Sequence, residues 1–282
     1  MSHIIPLKNR SIIKISGPDR LSFIQGLITQ DINLIQKHAI YSLILTSNGR
    51  FFADLFISNI AEDIIADVCN DIIEDVMSYL SKYKLRSRVS IKKCDEFHVS
   101  YAIIKKNDSI EKYENLPFIY ADPRLKTMGI RIIHIESVKN ISMFKDFKDA
   151  TFDFYNYHRI INGVTEVSDM EIGKSMPIEY NMDHLNAVSW TKGCYIGQEL
   201  TARTKHQGII RKRTLPFSVE TSIFEEPKSI IQDGEKVGSV KSFQGKNGIA
   251  MIRMEALEKE SVITLSCGAL VKFNIPTWLQ IS

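Results

Sequence analysis

After Gly208 the sequence changes character, and that change limits the folds open to it. Residues 213–219, 236–243, 249–254, 262–266 and 270–275 are short apolar stretches, and Asp233-Gly234 supplies a tight turn ahead of the second. Five short strands with glycine turns predict a small terminal β-barrel. The chain before Gly208 mixes helical and strand patterns without a regular strand–helix–strand alternation. It contains neither G-x-G-x-x-G nor a phosphate-binding P-loop. A Rossmann sheet is therefore not expected, and the fold class is α+β.

Residues 11–15 read as a strand, and Ser16-Gly17-Pro18-Asp19 opens a helix with Leu21, Ile24, Leu27 and Ile28 on one face, ended by Thr29-Gln30-Asp31. Residues 41–46 and 50–57 flank Ser47-Asn48-Gly49, a strong hairpin signal. Residues 71–83 carry apolar side chains at helical spacing, and 89–91, 97–104, 118–120 and 129–135 read as strands. Residues 105–114, rich in lysine and asparagine, read as a solvated loop, and residues 152–161 as a buried aromatic helix stopped by Gly163. Two charged side chains stand out. Asp54 interrupts an apolar strand and either faces a cavity or lies on the wet side of the sheet; charges are seldom buried unpaired, which favours the wet side. Arg159 is a candidate for facing a cavity.

The densest chemistry lies in Trp190-Thr191-Lys192-Gly193-Cys194-Tyr195-Ile196-Gly197-Gln198-Glu199-Leu200-Thr201-Ala202-Arg203-Thr204. Gly197 is expected to mark a loop-to-helix junction, because the residues after it hold no Gly or Pro. A thiol beside a helix start, two positions after a lysine, sits where positive charge and free N–H groups favour a thiolate. Two readings of Cys194 stand: a reactive or ligand-contacting thiol, or an inert buried cysteine.

The chain has 282 residues, 44% hydrophobic and 24% charged, long enough for two or three domains with real cores. A net charge of +3 argues against a dedicated nucleic-acid binder. Residues 192–213 are locally basic, with Lys192, Arg203, Lys205, Arg211, Lys212 and Arg213 against Glu199 alone, which suits an anionic ligand or an acidic partner. Cys69, Cys94, Cys194 and Cys267 are far apart and form no zinc-type spacing, so no metal site is expected. Residues 1–10 hold neither a long apolar region nor an Arg-rich leader, and no apolar run approaches the ~18 residues of a membrane span. The expectation is a cytoplasmic monomer without membrane or nucleic-acid partners.

The run Lys192-Gly193-Cys194-Tyr195-Ile196-Gly197-Gln198-Glu199 resembles the signature of the YgfZ/GcvT-like (CAF17-like) family, the folate-binding-fold proteins of iron–sulfur cluster maturation. Gly17-Pro18-Asp19-Arg20 with Thr29-x-Asp31, Leu45-Thr46-x-x-Gly49-Arg50, Asp122-Pro123-Arg124 with Gly129-x-Arg131, and Pro177-x-Glu179-x-Asn181 resemble its other landmarks in the same order. Val237-Gly238-x-Val240-x-Ser242 is similar to its C-terminal barrel. Residues 191–213 look closest to the mitochondrial branch, whose members act late in making [4Fe–4S] clusters together with A-type carrier proteins.

The resemblance implies three domains around a central channel, as in the aminomethyltransferase of the glycine cleavage system, where tetrahydrofolate occupies the channel. The domains would be residues 1–45 with 136–207, residues 46–135, and residues 208–282 as the barrel. It further implies Cys194 and Lys192 as the reactive pair, with Gly193, Tyr195, Gly197, Gln198, Glu199, Arg203, Arg159 and Asp54 around the ligand. Two departures bear on activity. Where the aminomethyltransferase has two adjacent aspartates this chain has Ala53-Asp54, and its pterin-binding glutamate is matched by Ile161 within His158-Arg159-Ile160-Ile161-Asn162-Gly163. An isoleucine side chain offers no hydrogen-bond acceptor. The implied role is a non-redox cluster assembly or repair factor, with tetrahydrofolate as the family's channel ligand and a [4Fe–4S] cluster shared transiently with a carrier or client enzyme. The alternative is a folate-dependent one-carbon transferase.

Overall fold

Isoleucine, leucine, valine and phenylalanine crowd residues 40–69, and such side chains suit a pleated, buried surface. In the computed structural model, which describes residues 1–105, 118–208, 210–221, 227–259 and 261–280, that stretch forms three neighbouring strands of one sheet. In chain order the elements are β1 (His3–Pro6), β2 (Arg10–Ser16), α1 (Arg20–Gln25), β3 (Ile40–Leu45), β4 (Phe51–Ile60), β5 (Asp63–Cys69), α2 (Ile73–Lys84) and β6 (Ser90–Cys94). There follow β7 (His98–Ile103), β8 (Ile119–Ala121), β9 (Ile130–His134), β10 (Lys148–Asp149), α3 (Phe152–Ile161) and α4 (Gln198–Gln207). The last six strands are β11 (Lys212–Val219), β12 (Ser229–Gln232), β13 (Glu235–Gln244), β14 (Asn247–Arg253), β15 (Ile263–Leu265) and β16 (Val271–Phe273). The expected loop over 105–114 lies, beyond its first residue, outside the described residues.

The chain divides into two units. The first holds Met1–Ser47, Phe52–Tyr155 and Leu185–Ile196; the second holds Asn48–Phe51, Asn156–His184 and Gly197–Ser282. Two five-stranded sheets build the first unit, in the orders β10-β1-β7-β9-β8 and β3-β4-β5-β2-β6. Strands from residues 1–45 and from 46–135 share both sheets, so the expected boundary at residue 45 falls inside them. The second unit carries a six-stranded sheet, β15-β12-β13-β14-β11-β16, whose ends meet at the Thr264–Leu270 bridge. Leu215, Phe217, Ile230, Ile252 and Leu265 fill this nearly closed barrel. It has one strand more than expected, because β12 is only four residues long. No helix among the described residues is long and apolar enough to cross a membrane.

Between the two sheets of the first unit lies a layer of charge and aromatic rings. Asp67 on β5 accepts from Arg10 Nε at 2.5 Å through one carboxylate oxygen and from Arg131 Nη2 at 2.5 Å and Nε at 3.0 Å through the other. Arg10 on β2 also reaches Asp54 at 3.0 Å. The guanidinium of Arg131 stacks 3.6 Å from the Phe56 ring centroid, and Arg124 lies 4.8 Å from the same ring. Cations over aromatic faces are stabilised by the ring quadrupole. Asp54 is therefore 1% exposed and ion-paired. This corrects the wet-side expectation, and the reason is Arg10, whose partners lie far away in sequence.

Helix α3 also departs from expectation. Tyr155 and Ile160 are buried, but Phe152, Phe154 and Tyr157 are each about two-fifths exposed, and Ile161 is 47% exposed. The aromatic run is amphipathic rather than buried on all sides. Removing one partner of a buried ion pair leaves an uncompensated charge, so Asp67→Ala is expected to lower stability by about 3–5 kcal/mol. Denaturant unfolding at unchanged slope measures this, and a loss below about 1 kcal/mol would show that the two arginines find other partners.

Candidate functional site

A short helix ends with carbonyls that no helical N–H can reach. Helix α1 stops at Gln25, and the chain then turns through Gly26 to Gln30. Lys192 fills this end: its Nζ donates to the carbonyl oxygens of Gln25 at 2.7 Å, Ile28 at 2.8 Å and Gln30 at 2.9 Å. An ammonium has three protons, and all three are used. The charge also suits the negative end of a helix. The same segment takes the loop at two further points, because Ile196 N–H donates to Gly26 O at 3.1 Å and Ser189 N–H to Thr29 O at 3.0 Å. Tyr195 is buried, and the Lys192 ammonium lies 5.3 Å from its ring centroid.

Lys192 and Tyr195 thus point inward as anchors, while Thr191, Gly193 and Cys194 are exposed. Cys194 is a free thiol on a loop held at both ends. The expectation that Lys192 polarises the Cys194 sulfur is corrected: no ammonium proton remains for it. Burial pulls the Lys192 ammonium down from its ordinary 10.5 to about 8, with the Asp31 carboxylate opposing. Cys69 and Cys94 are buried and their thiols are pushed up by that burial, whereas Cys267 is exposed.

The rest of the motif belongs to the second unit. Gly197 has φ 81° and caps α4, as the sequence predicts, without a side-chain hydrogen bond to the helix start. Its carbonyl oxygen would lie 2.8 Å from a Cβ on Gly49, which has φ 70°, so both positions require glycine. On α4, Gln198 is half-buried, Glu199 and Arg203 are exposed one turn apart, and Thr201 faces inward.

Arg159 does not face a cavity. It is 2% exposed and donates to Asn156 at 2.8 Å, Val164 O at 3.2 Å, Asp169 at 2.7 Å and Ser242 at 2.7 Å, fastening α3 to β13. The basic patch over residues 192–213 is also thinner than its sequence, because Lys192 is consumed and Arg213 is buried against Ile178 O, Asn181 and Asp183. Sequence reasoning missed the cradle of Gln25, Ile28 and Gln30, whose contribution is backbone oxygen and leaves no signature in residue type.

The pterin anchor of the aminomethyltransferase does not fit the residues present. Ile161 is an exposed apolar side chain, and the Asp54 carboxylate is engaged by Arg10.

Residues 211–281 match the family described as CAF17, C-terminal beta-barrel domain. The iron-sulfur cluster assembly factor IBA57, mitochondrial, of Mus musculus is 29% identical over 96% of this chain and 84% of its own length. The human protein of the same name is 28% identical over the same shares. The Dictyostelium discoideum homolog is 33% identical, over 76% of this chain and 62% of its own. Among solved structures, glycine cleavage system aminomethyltransferase T from Bartonella henselae superposes with a TM-score of 0.79 over 99% of this chain and 86% of that one, at 12% identity. That likeness shows the fold. The relatives are named as mitochondrial, which overturns the expectation of a cytoplasmic protein.

The Lys192 cradle has a measurable consequence. Its folded pKa lies below its ordinary value, so between about pH 8 and 10.5 the unfolded chain holds a proton that the folded chain has released. Unfolding free energy from this group therefore rises with pH across that window. Lys192→Met is expected to remove the slope and, by stripping three carbonyls of their donor, to cost about 1–3 kcal/mol at neutral pH. Denaturant melts of both proteins across the window check this, and parallel curves would show that another group titrates there. The barrel match and the curated relatives support a member of the CAF17-like family of iron–sulfur cluster assembly proteins, and the solved structure shows its aminomethyltransferase fold.

Proposed function

We propose that this protein serves iron–sulfur cluster assembly, supporting the maturation of [4Fe–4S] proteins, with the Cys194 thiol as the group it offers to the cluster. The names of its relatives support the first part. The observation that carries the second is the exposed Cys194 on a loop pinned by Lys192, Ser189 and Ile196. A pinned loop presents its tip in one geometry at little ordering cost, which favours docking against a partner.

The thiolate, not the thiol, is the ligand for iron. Clusters are generally held by four such ligands, and among the described residues no three His, Cys, Asp or Glu side chains converge. Cys194 therefore acts as one ligand in a shared set, the others coming from an A-type carrier or a [4Fe–4S] client enzyme. In the exchange the Cys194 S–H bond breaks and a sulfur–iron bond forms. The proton passes to the carrier thiolate that leaves the same iron, so no oxidant or reductant is required. Gly193, beside the thiol, leaves the tip of the loop without a bulky side chain. The chain acts here as a cluster-handling helper rather than as a one-carbon transferase.

The test is complementation of a strain lacking the gene, reading aconitase activity. Cys194→Ser is expected to fail while Cys267→Ser, the other exposed thiol, succeeds, with both proteins folded by thermal melt. Full aconitase activity with Cys194→Ser would remove the cysteine from the reading and leave only the family role.

A further inference from the structure

Residues 82–93, from the last turn of α2 into β6, hold Lys82, Lys84, Arg86, Arg88, Lys92 and Lys93 and no acid. The other 270 residues hold 30 lysines and arginines against 33 acids, so the positive charge of the chain is concentrated here. Part of it has a local explanation. Lys82 and Lys84 suit the C-terminal end of α2, Arg88 is paired with Asp19, and Lys93 reaches Asp95 at 3.1 Å. Lys84, Arg86 and Lys92 have no ion-pair partner among the described residues.

At the apex of this stretch the backbone is strained. Lys84 to Ser87 form a tight turn, closed by the Ser87 N–H donating to the Lys84 carbonyl at 2.8 Å. Leu85 has φ 44° and ψ −115°, close to the first central position of a type II′ turn, which glycine normally fills. A bulky side chain is a genuine outlier in that region and is destabilised there. Leu85 is also 86% exposed, so no packing within the fold offsets the strain. The base of the turn is held firmly. The Arg88 backbone N–H and guanidinium donate to the Asp19 carboxylate at 2.8, 3.3 and 3.2 Å, Val89 is buried, and Gly17 packs so closely against the Arg88 carbonyl that no Cβ would fit. A fixed base thus carries a projecting leucine between Lys84 and Arg86.

We infer that this turn is a membrane-surface contact: Leu85 enters the boundary between headgroups and acyl chains of an anionic bilayer, and Lys84, Arg86 and Lys92 meet the lipid phosphates around it. Interfacial segments hold an anionic surface in this way, by buried apolar area together with basic side chains. The alkyl stems of lysine and arginine lie along apolar surface while their charges stay among the headgroups. A nucleic acid would meet the cations but gives Leu85 no apolar medium, and an acidic protein would need a shaped pocket for it. That no helix is long and apolar enough to cross a membrane does not bear on a contact that lies on the surface. The contact does not depend on the role of Cys194.

The test is sedimentation of the full chain with vesicles of phosphatidylcholine and phosphatidylglycerol in equal parts, and with vesicles of phosphatidylcholine alone. Wild type is expected to bind the first and not the second, and to be released as salt rises. Lys84→Gln/Arg86→Gln should bind the anionic vesicles about thirtyfold more weakly, the worth of two basic contacts. Leu85→Gly should bind about tenfold more weakly, the worth of one leucine withdrawn from the acyl boundary. It should nevertheless melt no lower than wild type, because glycine adopts this turn without strain. No binding to the anionic vesicles, or equal binding to both kinds, would overturn the inference. So would wild-type vesicle affinity in Leu85→Gly, which would leave a purely electrostatic patch suited to an acidic protein, or a lower melting temperature, which would show that the leucine serves the fold.

Discussion

Asp67 binds two arginines that belong to different sheets, and the first unit is arranged around that meeting. A lone carboxylate in an apolar interior is ruled out by its desolvation cost, as is a lone guanidinium. Together they are tolerable, and only in one geometry. The strand holding Arg131 must present it to the face where Asp67 and the Phe56 ring wait, and a slip of one residue would turn it to the opposite side. An aliphatic interface could offer comparable stability. It would not specify register so sharply, because leucine and isoleucine tolerate sliding in a way that a doubly hydrogen-bonded, ring-stacked guanidinium does not.

The loop that bears Cys194 uses the same economy on a smaller scale. A lysine that could have been a surface charge is folded inward onto three carbonyls, and its neighbour Tyr195 covers it. The outward side of the loop is then free to carry chemistry without also having to hold itself in place. Rigid support from one set of residues and presentation by another is a common division of labour at sites that must meet a partner in a fixed pose.

Much of this was legible in residue order. The spacing of Ile72, Val76 and Leu80 gives α2, Asn48-Gly49 gives the turn between β3 and β4, and the short apolar runs after Gly208 give most of the barrel. The motif around Cys194 led to the family, and Gly197 to the start of α4. What stayed hidden shares one physical cause, the long-range pairing of polar groups. Strand β5 is broken by Asp67 and the strand character of β4 by Asp54, so both look half-solvated until Arg10 and Arg131 are known to lie beside them. Arg159 looks available until Asp169 and Ser242 are placed. Lys192 looks like an activator of the thiol two residues on because its true partners are backbone atoms far away in the chain.

That last point bears on how this region can drift. Lys192 reads the carbonyls of Gln25, Ile28 and Gln30, while the side chains of Gln25 and Gln30 brace the turn through Asp31, Ile32 and Asn186. Their spacing cannot change. Inserting or deleting one residue between the end of α1 and Gln30 would rotate a carbonyl out of the cradle and unseat the loop, even with every side-chain contact rebuilt. The segment is a ruler written in peptide units, held to length by the three carbonyls that one ammonium must reach at once.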